Sequence, residues 1–157
     1  MAPSPEQLVK HLFYKVWMLG STLKKLKAAE FPDRKTANAL IESFCIHARN
    51  LNEFFLENGK DDTLKASSFA TSDYLRPKAT AERRKLFAKI HKQISHLTEA
   101  RTTVEQDKIG PNERDAMYDL LYQDLKNFDR HLRPELRPAW KIVFAEDLAP
   151  QDDLPEN

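Results

Sequence analysis

Apolar residues recur at three- and four-residue spacing along most of this chain, the period of helices that bury one face. The first run is Leu8, Val9, Leu12, Phe13, Val16, Leu19, Leu23 and Leu26. Ser4, Pro5 and Gln7 stand before it in the order of a capping box with proline at the first helical position. Phe31-Pro32 ends that run. Asp33 is placed to cap a second helix carrying Ala37, Leu40, Ile41, Phe44, Ala48, Leu51, Phe54 and Phe55, with Asn58-Gly59 as its left-handed stop. Residues 60–78 show no clear period, which predicts a long, partly structured or functional loop. A third helix is expected from Thr80, with Leu86, Phe87, Ile90, Ile94, Leu97 and Val104 on its apolar face. Gly110-Pro111 breaks it, and Asn112 is placed to cap a fourth helix carrying Met117, Leu121, Leu125 and Phe128. Beyond Pro134 and Pro138, Ala139 to Phe144 reads as a short helix closing one end of the core.

Short connections between helices make successive ones antiparallel neighbours. The expected architecture is therefore all-α: an up-down-up-down bundle of four principal helices plus a short C-terminal helix. One domain should occupy residues 1–145, with an acidic, solvated and disordered tail over 146–157.

Composition narrows the function classes. A chain of 157 residues has the length of one domain and buries roughly 70% of its unfolded surface, so it needs no disulfide to fold. Cys45 is its only thiol, which fits a reducing compartment, and its apolar neighbours predict an inert core thiol. Neither a signal peptide nor a membrane-spanning stretch is apparent, so a cytoplasmic protein without membrane contact is expected. The three glycines are isolated and cannot build a phosphate loop or a dinucleotide fingerprint, so no cofactor is expected.

No metal site is expected either. Glu-x-x-His and His-Glu-x-x-His are both absent. His91 and His96 lie about 140° apart on a helical wheel and cannot share one ligand face. Net charge is only +1, yet between Arg76 and Lys92 seven basic residues stand against Glu82 alone. Arg83, Arg84, Lys85, Lys89 and Lys92 could grip the phosphates of an RNA or nucleotide, although such a run is more often a solvated face.

The second helix holds the more distinctive polar residues. His47 falls inside or at the flank of the apolar arc, where a half-buried imidazole bonded to a neighbouring helix is expected. Arg49 and Asn50 fall outside the arc, as surface residues or as polar links to the loop after Gly59, with Asp61 and Asp62 as the natural partners of Arg49 or of a helix end.

The run His47-Ala48-Arg49-Asn50-Leu51 with Phe54-Phe55, then Asp61-Asp62, then His96-Leu97-Thr98 with Arg101, resembles a group of small bacterial helical proteins. That group is similar to the HEPN superfamily of four-helix, often dimeric proteins. The resemblance covers roughly residues 33–101. It implies a binding or regulatory module, a homodimer, a link to toxin–antitoxin or phage-defence systems, and His47, Arg49, Asn50, His96 and Arg101 as binding residues. Ile46 and Leu56, off the main arc, offer apolar surface for self-association.

Many HEPN proteins are metal-independent endoribonucleases whose signature is Arg followed by His after four to six residues. In this chain only Arg84 and His91 match, at the widest spacing. The resemblance would make His91 the general acid/base and Arg84 the phosphate clamp. A third reading is a helical subunit that presents residues 60–78 to a partner protein.

Overall fold

The computed structural model describes residues 4–29, 31–92 and 109–141. Within them the chain folds into four α-helices: α1 (Pro5–Ala28), α2 (Arg34–Leu56), α3 (Ala81–Ile90) and α4 (Pro111–Arg130). Short 3-10 turns lie at Ala66–Ser68 and Pro134–Leu136, and residues 137–141 are again helical. No strand occurs among the described residues, so the all-α bundle expected from periodicity is what forms.

Local chemistry sets the helix ends. The Gln7 amide donates to the Ser4 hydroxyl while the Gln7 side chain accepts from the Ser4 amide, closing the capping box. Asp33 accepts from the Thr36 amide at 2.7 Å, and Thr80 accepts from the Arg83 amide at 3.1 Å. Several boundaries differ from expectation: α1 stops at Ala28 with left-handed Ala29 before Phe31-Pro32 is reached, and the last helix begins at residue 137. The fourth helix is capped at Gly110, with Pro111 in its first turn and Glu113 accepting from the Gly110 amide at 3.0 Å; Asn112 lies inside the helix. The left-handed residue closing α2 is Glu57, at φ 55°, and not Gly59. The Glu57 carboxylate accepts from the Ser67 amide at 2.7 Å, and that bond ties the helix end to the loop beyond it.

Helix directions follow from pairs that touch. Tyr14 of α1 meets His47 of α2, and Leu8 and Leu12 face Phe54, so α1 and α2 run antiparallel. Arg83 bonds Asn52 and Asp124 while Lys89 pairs with Glu113, so α3 runs against both α2 and α4. Lys27 pairs with Asp115 at 2.9 Å, setting α1 against α4. The result is an up-down-up-down arrangement. Its core centres on Phe44, Phe55, Met117, Leu121, Phe128 and Trp140, all at most 2% exposed. Phe54, Phe55, Tyr74 and Trp140 surround Phe128 edge-on, a favoured aromatic geometry.

The long loop is tied down. Ala66, Phe69, Ala70 and Tyr74 are buried, and Ala70 bridges Leu132. The Thr71 amide donates to the His131 carbonyl at 2.7 Å, and the Arg133 amide donates to the Phe69 carbonyl at 3.0 Å. These bonds satisfy loop backbone that would otherwise be stranded against the core. Expected apolar positions Ile94, Leu97 and Val104, the end of the C-terminal helix past residue 141, and the acidic tail lie outside the described residues.

Candidate functional site

The feature that organises one side of the molecule is a buried arginine. Arg83, Phe87 and Ile90 follow one another at helical spacing, so Arg83 starts the inward stripe of α3 and is only 4% exposed. Its Nε donates to Asn52 Oδ1 at 2.8 Å and its Nη2 donates to Asp124 Oδ2 at 2.6 Å. The guanidinium also lies 5.7 Å from the centre of the Phe87 ring. Burial pushes the Asp124 carboxyl above its ordinary value, and the permanently charged Arg83 offsets part of that rise. Arg83 therefore belongs to the frame and drops out of the phosphate-gripping set expected from sequence.

Above this frame a polar cleft opens between α2 and α3. It has a volume of about 270 Å³ and is lined by Arg49, Asn52, Glu53, Asn58, Phe87 and His91. Two residues singled out in the sequence, Arg49 and His91, thus meet in one cleft. Arg49 Nε is 2.8 Å from Glu53 Oε1, so its charge is balanced one turn along its own helix, where Asp61 or Asp62 had been expected. Arg84 is absent from the cleft: it is exposed, and its Nη1 donates to the Ala79 carbonyl at 2.6 Å. Arg84 and His91 stand seven positions apart, about 10 Å along the helix axis. Lys85 and Lys92 are exposed, and Lys89 pairs with Glu113 at 3.2 Å.

A second concavity lies on the other side of α2. Its walls are apolar: Leu8, Val9 and Leu12 of α1, Leu51 and Phe54 of α2, Phe69 of the loop and Phe128 of α4. His11, Lys15, Asn50, Glu53 and Thr63 supply its polar lining, and the volume is about 260 Å³. Glu53 borders both the cavity and the cleft. Asn50 is the one sequence-selected binding residue in the cavity. Its other polar residues were legible only as a pattern: positions 8, 11, 12 and 15 form one helical stripe, placing His11 and Lys15 beside Leu8 and Leu12.

His47 is more deeply buried than expected, at 6% exposure, and makes a different contact. Its ring stands edge-on to Tyr14 with centroids 5.6 Å apart, and among the described residues its Nδ1 has no hydrogen-bond partner. Burial first, and then the nearby Lys15 ammonium, hold its pKa below the usual histidine value. Cys45 is fully buried and its thiol is pushed up to about 12, which makes it unreactive near neutrality. Of the proposed self-association pair, Ile46 is 49% exposed whereas Leu56 is buried at 7% and unavailable as surface. His96 and Arg101 lie outside the described residues.

Among the described residues no group of three His, Cys, Asp or Glu side chains is placed to hold a metal ion, and no helix is long and apolar enough to cross a membrane. No family model, curated protein or solved structure matches the chain.

Proposed function

We propose that this chain is a HEPN-like helical module that binds single-stranded RNA without cutting it. The observation carrying this reading is the α2–α3 cleft, lined by both Arg49 and His91, together with the exposed Arg84, Lys85 and Lys92 along α3 and just past its end. Cleavage without metal would require His91 to exchange a proton with the 2′-hydroxyl while a cation holds the scissile phosphate. Arg84 turns back to the Ala79 carbonyl, away from His91, and Arg49 is neutralised by Glu53. Exposed cations supply sequence-independent attraction to phosphate, while Phe87 offers an aromatic wall for a base. The resemblance adds a homodimer and a regulatory setting of the toxin–antitoxin or phage-defence kind, for which a nucleotidyltransferase-like gene next to this one would speak.

Filter binding with single-stranded RNA across a salt series tests the proposal. Binding should weaken steeply with salt, and Arg84→Glu with Lys85→Glu should abolish it while the RNA stays intact. Chelator-resistant cleavage leaving a 2′,3′-cyclic phosphate, lost in His91→Ala, would replace this reading with the ribonuclease one. Salt-insensitive or absent binding would remove both.

A further inference from the structure

The apolar cavity between α1, α2 and the loop is not needed by the RNA reading, and its chemistry points to a different kind of ligand. The open concavity of about 260 Å³ has room for about nine water-sized groups at about 30 Å³ each, which is the scale of a small molecule of about ten non-hydrogen atoms. Concave, mostly apolar spaces between the helices of a bundle are where such ligands bind, with a few polar groups fixing their orientation.

The charges at the polar lining decide which head group fits. Glu53 carries the only carboxylate among the lining residues, and Arg49 already neutralises it at 2.8 Å. Lys15 and His11 make no ion pair with an acidic side chain among the described residues; the Lys15 ammonium lies 5.9 Å from the centre of the Tyr14 ring. His11 is exposed and Lys15 half-buried, so both stand where the cavity meets solvent. Leu64, 41% exposed, flanks the same opening from the loop. Walls of Leu12, Leu51, Phe54 and Phe128 and an uncompensated ammonium at the mouth together describe a receptor for an apolar tail carrying one negative charge. We infer that the cavity binds a small amphipathic carboxylate, its tail among the aromatic rings and its carboxylate on Lys15, with His11 as a second donor.

The test is calorimetric titration of the full chain with three eight-carbon probes: octanoate, 1-octanol and octylammonium. Octanoate should bind at one site, 1-octanol more weakly, and octylammonium not measurably. Lys15→Gln should weaken octanoate about tenfold, the loss of one charge-assisted hydrogen bond, and leave 1-octanol unchanged. Leu12→Trp, which fills the cavity, should abolish binding of both. Should that core variant fail to fold, the surface change at Lys15 still decides the matter, its fold checked by circular dichroism. Equal affinity for the three probes, octanoate binding indifferent to Lys15→Gln, or no binding by any probe would each overturn the inference. The RNA reading is tested separately, through Arg84, Lys85 and His91, none of which lines the cavity.

Discussion

Arg83 and Asp124 stand 41 residues apart in the chain and 2.6 Å apart in the fold, with both side chains almost withdrawn from water. This pair, with Asn52 as the third member, pins α3 onto α2 and α4 beneath the proposed RNA cleft. Removing one partner of such a pair leaves a buried charge without compensation. Arg83→Ala should therefore cost about 3–5 kcal/mol in urea denaturation. Replacing both residues with leucine should recover much of that loss, because an apolar pair needs no desolvation of charge. A loss below about 1 kcal/mol for Arg83→Ala, the scale of a surface ion pair, would show that the pair does not pin the helices.

His47 predicts a pH dependence. Its folded-state pKa is depressed by burial and by Lys15, and its ring packs edge-on against Tyr14. Between the two pKa values the unfolded chain binds a proton that the folded chain refuses. Stability is then full above about pH 6.5 and falls as the pH drops from there toward the folded value. His47→Phe keeps an aromatic ring against Tyr14 and removes the titration. Denaturation midpoints at neutral and mildly acidic pH should diverge for the wild type and much less for the variant; parallel profiles would exclude His47 as their cause.

Gly59 is required by space and not by its backbone angle. It does not adopt positive φ, but a Cβ there would sit 2.6 Å from both Thr63 Oγ1 and Thr63 Cγ2 and 2.7 Å from Thr63 Cβ. Because the clash includes Cβ, a rotamer change at Thr63 cannot relieve it. Gly59→Ala should destabilise by about 1–3 kcal/mol, the cost of overpacking. Adding Thr63→Gly removes the colliding atoms, so the double variant should be more stable than Gly59→Ala alone. The reverse order would mean that the loop shifts freely at this point.

Self-association follows from the HEPN-like proposal, with Ile46 and Tyr14, each 49% exposed, as its apolar contribution. Light scattering at micromolar concentration should give the mass of a dimer, and Ile46→Lys should shift it toward the monomer. A monomeric wild type would count against the dimer and weaken the family reading with it.

Periodicity alone determined the helices, because a stripe repeating every three to four residues can be buried only on a helix. The caps at Ser4 and Asp33, and the start of α3 at Thr80, were equally legible, since each of these side chains satisfies an amide within its own first turn. Local sequence failed where two segments had to meet. Glu57 takes the left-handed position in place of Gly59 and bonds Ser67, ten residues away. The three adjacent bases Arg83, Arg84 and Lys85 look alike in sequence. Only packing separates them, because Arg83 alone falls on the stripe of Phe87 and Ile90 and finds a carboxylate waiting on α4. The candidate sites divide the same way. Arg49, Asn50 and His91 could be chosen by residue type, but the cleft joining Arg49 to His91, and the cavity facing Lys15, arise from the docking of separate helices. The chain encodes each helix face locally, whereas the space left between faces depends on every side chain that fills it, and only the tertiary structure decides that.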